Sequence, residues 1–140
     1  MQKMNNKNKI FVDKLRSSGL RPTHQRVEIS KFLFNRKKTF HFTVEELKNS
    51  MNLKRSKKIS TATFYNTVHA LKSAGHLKEF SLENNTSCYD TNMTSHHHFF
   101  DDGKVIDIKS DKISFKKLPE APKGKKIKNV EVVIRLENNN

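Results

Sequence analysis

The sequence predicts an α+β protein: an N-terminal winged helix-turn-helix followed by a small α/β domain. Amphipathic helical patterns recur through residues 10–75, and short strand patterns separated by turns replace them afterwards. A run of helices leading into a two-stranded hairpin is the order of a winged helix-turn-helix. We place the first domain at residues 1–90, a hinge at residues 91–95 and the second domain at residues 96–140.

The first two predicted helices are bounded by residues with special backbone preferences. A helix is expected over residues 10–18, where Gly19 ends it. Pro22 is expected at the first position of a second helix that runs to about Arg36, because the fixed backbone angle of proline suits that position. Apolar side chains at helical spacing predict the buried faces of both helices: Phe11, Val12, Leu15, Ile29, Phe32 and Leu33.

Two further helices are predicted from their capping residues. Thr43 followed by Glu46 is the pattern of a capping box at the start of the third helix. Ser60 or Thr61 is expected to cap a fourth helix, and Gly75 to end it. The positions expected to face the core are Val44, Leu47, Met51, Phe64, Val68 and Leu71.

Strand patterns occupy the rest of the chain. They predict a hairpin of residues 77–82 and 87–90, a hairpin of residues 96–100 and 105–108, and a single strand at residues 127–136. Residues 83–86 and 101–103 are the expected turns. In the last strand Val130, Val132, Ile134 and Leu136 alternate with other residues, which predicts one buried side. A domain this small cannot bury that side internally, so we expect a homodimer with twofold symmetry.

Positive charge is concentrated in the first 80 residues. They hold 18 Lys and Arg against 5 Asp and Glu, a net charge of +13, whereas residues 81–140 hold 10 against 9, a net charge of +1. This asymmetry favours double-stranded DNA as the partner of the first domain. Lys54–Lys58 is expected to form a loop in which Lys57 and Lys58 meet phosphates. A membrane surface is disfavoured, because the apolar stripes are needed for the core.

Composition argues against several other classes of protein. With a single cysteine, Cys88, the chain forms neither an internal disulfide nor a four-cysteine structural zinc site, which suits the cytoplasm. We interpret Cys88 as a small buried apolar residue. Gly-rich phosphate loops, nucleophile elbows and HExxH motifs are absent, so we do not expect an enzyme. The remaining enzymatic alternative, a metallohydrolase built on the histidines, leaves the basic first domain unexplained.

Four stretches in order resemble the ferric uptake regulator (Fur) superfamily. Gly19–Arg26 resembles its GLRxTxQR motif, Ser60–Val68 resembles its ATVYNTL motif with Ala74-Gly75 after it, and His96–His98 followed by Gly103–Asp107 resembles its histidine-rich metal segment. The ending, Leu118–Leu136, is similar to the iron-response regulator branch, which senses iron through haem or Fe(II). The resemblance implies a transcriptional regulator whose second domain carries both dimerisation and sensing.

The chain departs from the family pattern at its cysteines. Typical members carry two CxxC pairs around a structural zinc, and this chain has none. The Cys-Pro haem motif of the iron-response branch is also missing, since Tyr89 follows Cys88. Any haem would therefore be ligated by histidine, from His96, His97 or His98.

A metal site is predicted around the three consecutive histidines. On a strand, His96 and His98 point to one side and His97 to the other. Imidazole with carboxylate ligands suits Fe(II), Mn(II) or Zn(II), and the alternative is an exposed polar strand edge. The resemblance implies a five-ligand site: His41, Asp90, His96, His98 and Asp107. Ligands from the first domain, the hinge and the second domain would let the ion set the angle between domains.

The resemblance also implies which residues contact DNA. Arg21, Thr63, Tyr65 and Asn66 match family positions that approach bases or backbone, and the expected operator is an A·T-rich palindrome. We therefore expect a regulator of iron and haem homeostasis that responds to a His/Asp metal site or to haem. The alternatives are a repressor that senses peroxide or another metal, and a basic DNA-binding protein that senses nothing.

Overall fold

The computed structural model describes residues 6–82, 85–94 and 96–139, which form two compact units. The first unit ends at Met93 and the second begins at Thr94. The α+β class predicted from the sequence is confirmed, with the helices in the first unit and most of the strand residues in the second. Among the described residues no helix has the length and apolar character needed to span a bilayer.

The described residues of the first unit form four α-helices and three short strands, preceded by a 3-10 turn at Asn6–Asn8. In chain order they are α1 (Lys9–Ser17), α2 (His24–Phe34), β1 (His41–Phe42), α3 (Val44–Asn52), α4 (Thr61–Ser73), β2 (Lys78–Ser81) and β3 (Ser87–Asp90). The prediction that Pro22 begins the second helix is wrong. The Thr23 side chain accepts a hydrogen bond from the backbone N–H of Arg26, so Thr23 is the N-cap and α2 begins at His24.

The caps predicted for α3 and α4 are confirmed. Thr43 Oγ1 accepts from the N–H of Glu46 at 3.1 Å, and Glu46 Oε1 accepts from the N–H of Thr43 at 3.3 Å. Ser60 caps α4 by accepting from the N–H of Thr63 at 3.1 Å. Gly75 follows the helix with φ of +86°, the left-handed conformation that glycine adopts most readily. The N-terminus of α4 is therefore fixed by a side chain only three residues away in the sequence.

A three-stranded antiparallel sheet of order β1-β3-β2 completes the first unit. The β2–β3 pairing confirms the predicted wing, although positions 83 and 84 of its predicted turn lie outside the described residues. The pairing of β1, in which His41 lies opposite Asp90 and Phe42 opposite Tyr89, was not predicted. A strand of two residues carries no periodicity, and only its distant partner defines it.

One hydrophobic core joins α2, α3, α4 and the sheet. Its buried members are Ile29, Leu33, Phe42, Val44, Leu47, Ile59, Phe64, Val68, Leu71, Leu77 and Tyr89. Phe64, Val68 and Leu71 lie along one side of α4 and are completely buried, which leaves the opposite side of that helix at the surface. The core therefore fixes which residues α4 presents to solvent.

The second unit is a three-stranded sheet of order β5-β4-β6 with a short 3-10 turn at Ser110–Lys112. The strands are β4 (His96–Asp101), β5 (Lys104–Lys109) and β6 (Val133–Arg135). Asp102 and Gly103 have φ of 43° and 85°, so they form a two-residue hairpin turn with two positive φ angles. That turn sets the antiparallel register in which Asp107 lies opposite His98.

The prediction of a strand over residues 127–136 is wrong in its extent. Only Val133–Arg135 forms β6, and it pairs parallel to β4. The N–H of Val132 donates to Nδ1 of His97. A side chain therefore accepts this backbone hydrogen bond just before β6 begins. Ile134 and Leu136 are 37% and 42% exposed, so the described residues of one chain do not cover this part of the predicted buried side.

Candidate metal centre and nucleic-acid interface

Two imidazoles and one carboxylate meet on one side of the β4–β5 hairpin. Oδ1 of Asp107 lies 3.5 Å from Nε2 of His96 and 3.5 Å from Nε2 of His98. The ring centroids of the two histidines are 4.5 Å apart. Alternation along β4 puts both histidines on the same side, and the hairpin register brings Asp107 to them. Three side chains of metal-ligand type therefore converge within the second unit.

The hydrogen bond of His96 fixes which nitrogen faces the carboxylate. Nδ1 of His96 lies 2.7 Å from the carbonyl oxygen of Thr94, and a carbonyl can only accept, so Nδ1 is the donor. In the neutral ring, Nε2 then presents a lone pair toward Asp107. A lone pair and a carboxylate oxygen 3.5 Å apart repel each other unless a proton or a metal ion lies between them. Holding the distal nitrogen of a ligating histidine in this way is typical of metal sites.

The spacing and chemistry of the three side chains fit a transition-metal ion. Two atoms 3.5 Å apart that each lie about 2.1 Å from a shared ion subtend roughly 110° at it, within the range of ordinary coordination geometries. Imidazole nitrogens with a carboxylate oxygen suit Fe(II), Mn(II) or Zn(II). His96 and His98 are buried, whereas Asp107 is 39% exposed, which leaves room for a further ligand.

His97 points to the other side of β4 and has a different role. Its Nδ1 accepts a hydrogen bond from the N–H of Val132 at 3.0 Å, and its ring meets Phe115 edge to face, with centroids 5.9 Å apart. The side chain is only 5% exposed. His97 therefore ties the segment that leads into β6 to the centre of the sheet, and one of its two nitrogens is occupied.

The other two predicted ligands, His41 and Asp90, belong to the first unit. They lie directly opposite each other on β1 and β3. Asp90 is 1% exposed, and its Oδ1 accepts from the N–H of Asn92 at 2.8 Å. The five predicted ligands thus fall into a pair in the first unit and a set of three in the second.

Cys88 lies next to this pair on β3 and is a free, buried cysteine. Burial raises the pKa of its thiol to about 12, and the charges of Glu46 and Asp90 act in the same direction. Cys88 therefore stays a neutral thiol at physiological pH, in agreement with its interpretation as a small apolar residue.

The exposed side of α4 carries two of the residues predicted to contact DNA. Tyr65 is 48% exposed and Asn66 is exposed beside it, opposite the buried side of the helix. Thr63 is half-buried, and its hydroxyl lies 2.8 Å from the hydroxyl of Ser60 at the N-terminus of the helix. α4 therefore has the arrangement of a recognition helix, with polar side chains on a firmly packed support.

A basic cleft of about 520 Å³ opens beside the start of α4. Its lining residues are Thr23, His24, Gln25, Arg26, Arg55, Lys57 and Thr63. Lys57 and Thr63 were predicted to contact DNA, and the exposed Arg21 adjoins the cleft through its carbonyl, which accepts from Nη1 of Arg26 at 3.1 Å. Lys58 is exposed, and its ammonium donates to the carbonyl of Asn52, the last residue of α3.

Comparison with known families identifies the chain. A model of the ferric uptake regulator family matches residues 17–135. The chain belongs to this family. The matched region includes the His96, His98 and Asp107 cluster, the exposed side of α4 and the basic cleft.

Individual relatives of the family agree with this assignment. The chain is 32% identical over 96 residues to the peroxide-responsive repressor PerR of Staphylococcus epidermidis, a match that covers 67% of this chain and 62% of the relative. The chain thus spans less than two thirds of that relative's length. The structure of the ferric uptake regulator of Pseudomonas aeruginosa with manganese aligns with a TM-score of 0.68 at 18% identity, over 94% of this chain and 99% of that one. The ferric uptake regulator of Vibrio cholerae gives 0.66 at 20% identity, over 91% and 98%.

Two arginines of the basic cleft, and the carbonyl that orients His96, were not predicted from the sequence. Arg26 and Arg55 line the cleft, and both stand in stretches that had been singled out, Gly19–Arg26 and Lys54–Lys58. Their charge could have drawn attention to them, but their orientation depends on distant contacts. The carbonyl of Thr94 that orients His96 had no sequence signal at all, because every residue has a backbone carbonyl.

Proposed function

We propose that this protein is a metal-responsive, sequence-specific DNA-binding transcriptional regulator. The observation that carries the proposal is the His96, His98 and Asp107 cluster, with the ring of His96 turned so that Nε2 faces the carboxylate. Membership of the ferric uptake regulator family supports the same function. We propose further that the protein acts in the cytoplasm and is not an enzyme.

DNA binding is proposed for the first unit. We expect Tyr65 and Asn66, both exposed on α4, to read base edges, and Arg21, Lys57, Lys58 and Thr63 to approach the backbone. The net charge of +13 over the first 80 residues supplies the electrostatic attraction for phosphate. We expect an A·T-rich palindromic operator, because the resemblance to the family implies one.

A homodimer is proposed through the second unit, whose small sheet leaves large apolar side chains at the surface. They are Ile106, Phe115, Leu118, Ile127, Ile134 and Leu136. Burying these side chains against a second copy would supply the core that one sheet lacks. Ile134→Glu should therefore give a monomer in light scattering at micromolar concentration. Ile10→Glu is the matched control, since Ile10 is 65% exposed on α1. A monomeric wild-type protein would contradict the dimer.

The proposed effector is Fe(II), with Mn(II) or Zn(II) as surrogates. The mixed nitrogen and oxygen donors of the cluster suit these ions. A peroxide-responsive repressor is the second candidate, favoured by the 32% identity to a protein of that name. Hydrogen peroxide added to the Fe(II)-loaded protein on DNA separates the two candidates. Peroxide should release the DNA only if the protein is a peroxide-responsive repressor. The Mn(II)-loaded protein is the control and should stay bound.

The finer assignment to the iron-response branch, and with it haem sensing, stays a prediction of the sequence motifs. His97 is buried and already bonded through Nδ1, so a haem on this residue would have to use Nε2. Titration of metal-free protein with haem tests this prediction by the appearance of a Soret band. A band that persists in His96→Ala and His98→Ala but disappears in His97→Ala would assign haem to His97.

The decisive experiment titrates the metal-free protein with Fe(II) and Mn(II) while its affinity for a DNA duplex is followed by fluorescence anisotropy. His96→Ala and Asp107→Ala should abolish the metal response, and His69→Ala, an exposed histidine of α4, should preserve the metal response. If His96→Ala responds like the wild type, the site is wrong. Equal affinity of the wild type for an operator and a scrambled duplex would end the regulator proposal.

The prediction that His41 and Asp90 complete the ligand set is tested in the same assay. His41→Ala and Asp90→Asn should weaken the metal response if they are ligands. An unchanged metal affinity in both variants would limit the site to the three side chains of the second unit.

A further inference from the structure

The loop between α3 and α4 carries four cations, and one of them differs from the others. Lys54, Lys57 and Lys58 are exposed, and the Lys58 ammonium donates to the carbonyl of Asn52, whereas the side chain of Arg55 is 23% exposed and bonded to α2. Nη1 of Arg55 donates to Oε2 of Glu28 on α2, and Nε of Arg55 donates to the carbonyl of Lys57 at 3.0 Å. One guanidinium therefore connects α2 to the backbone at Lys57.

The carboxylate at the other end of this connection is also held. Oε1 of Glu28 lies 2.8 Å from Nε2 of His24, one helical turn earlier on α2. Both oxygens of Glu28 are thus engaged, which restricts the directions in which it can hold Arg55. The planar fork of arginine suits such a double role, because its donors keep fixed angles to one another.

A second contact closes the loop at its ends. Nδ2 of Asn52 donates to the carbonyl of Ile59 at 3.0 Å, and the N–H of Ile59 donates to Oδ1 of Asn52 at 2.9 Å. Ile59 is buried in the core, so this end of the loop is anchored. The segment between Asn52 and Ile59 is therefore tied at its ends by Asn52 and in its middle by Glu28 through Arg55.

Attraction of DNA by positive charge does not explain why a carboxylate, that of Glu28, lies at this surface. The cleft beside it is lined by Arg26, Arg55 and Lys57, and a carboxylate there works against the binding of a polyanion. We infer that Glu28 and Arg55 are positioning residues, which hold the loop so that Lys57 meets a DNA phosphate. This inference rests on the proposed DNA-binding function.

The direction in which Glu28→Gln changes the affinity for DNA distinguishes a positioning role from a purely electrostatic one. Glu28→Gln removes a negative charge from a DNA-binding surface, so electrostatics alone predicts tighter binding. Loss of positioning predicts weaker binding, by about fivefold per protomer at 0.15 M salt, with the salt slope reduced by about one. Arg55→Lys should also weaken binding, although the charge is unchanged, because one ammonium cannot hold both Glu28 and the Lys57 carbonyl.

The test measures salt-dependent affinity of the full-length protein for a duplex that the wild type selects from a random pool. Lys57→Ala is combined with each positioning variant. In the wild-type background Lys57→Ala should cost about fivefold, and in the Glu28→Gln background almost nothing, since the contact is already lost. Glu45→Gln, an exposed carboxylate of α3, is the matched control for loss of the charge. Thermal unfolding verifies that each variant is folded.

The possible outcomes separate the two proposals. A wild-type protein that selects no sequence overturns both the DNA-binding function and the positioning role. A wild type that selects a duplex, together with a Glu28→Gln variant that binds it as tightly or more tightly, overturns the positioning role alone. Additive losses from Lys57→Ala and Glu28→Gln also overturn it, because independent residues add and residues acting through one contact do not.

Discussion

Replacing His97 by alanine removes two contacts that hold the segment leading into β6 against β4. The N–H of Val132 loses its acceptor, and the ring of Phe115 loses its edge-to-face partner. The hydrogen bond is partly buried, so its loss should cost about 1 kcal/mol. The aromatic contact should contribute about 1 kcal/mol more. We therefore expect His97→Ala to lower the free energy of unfolding of the second unit by about 2 kcal/mol.

The same variant should keep its metal affinity. His97 lies on the opposite side of the strand from Nε2 of His96 and His98. Urea unfolding of the metal-free protein, followed by circular dichroism, measures the loss of stability. Isothermal titration with Mn(II) measures the binding. His97→Asn places an amide oxygen near the position of Nδ1, so it should keep the hydrogen bond and lose only about half as much stability.

His96→Ala is the complementary variant in this experiment. It should lose Mn(II) binding, because it removes a nitrogen 3.5 Å from Asp107. A His97→Ala protein with wild-type stability would show that the Val132 bond contributes nothing. Loss of Mn(II) binding in folded His97→Ala, with binding retained in His96→Ala, would refute the assignment of the two sides of β4.

Three further outcomes are expected. Thr43→Ala should lower the free energy of unfolding by about 1 kcal/mol in urea, because it removes one half of a capping box. Iodoacetamide should modify Cys88 at least about a hundredfold more slowly at pH 8 in the folded protein than in urea, and the rate should still rise above pH 10, since burial raises the thiol pKa to about 12. Asn66→Ala should reduce discrimination between operator and scrambled duplex, whereas Lys57→Ala should weaken both equally in anisotropy titrations.

Local sequence signals account for most of the first unit. The capping pairs of α3 and α4 act within four residues, so they could be recognised without any tertiary information. At α2 two local signals competed: Pro22 was predicted as the first helical residue, but the side chain of Thr23 caps the helix and α2 begins at His24. The Glu28–Arg55 contact joins residues 27 positions apart, and no periodicity indicates such a pair.

Part of the metal cluster could be predicted for a simple geometric reason. A two-residue turn at Asp102 and Gly103 pairs Asp101 with Lys104, and counting back along both strands then pairs His98 with Asp107. Strand alternation adds His96 to the same side. The tautomer of His96 depends on the carbonyl of Thr94. Only the folded backbone orients that carbonyl toward the ring, so the sequence could not predict it.

The short β6 shows what an alternating pattern does and does not predict. Alternation in residues 130–136 predicted a strand over residues 127–136 with one apolar side that a second copy would cover. β6 forms only at Val133–Arg135, with Ile134 and Leu136 exposed. Apolar surface of this kind contributes about 25 cal/mol for each Å² removed from water. Because nothing within the described part of one chain covers these side chains, the pattern is better explained by the proposed second copy. Dimerisation should then protect the backbone amides of Ile134 and Arg135 from hydrogen exchange, and Ile134→Glu should remove that protection together with the dimer.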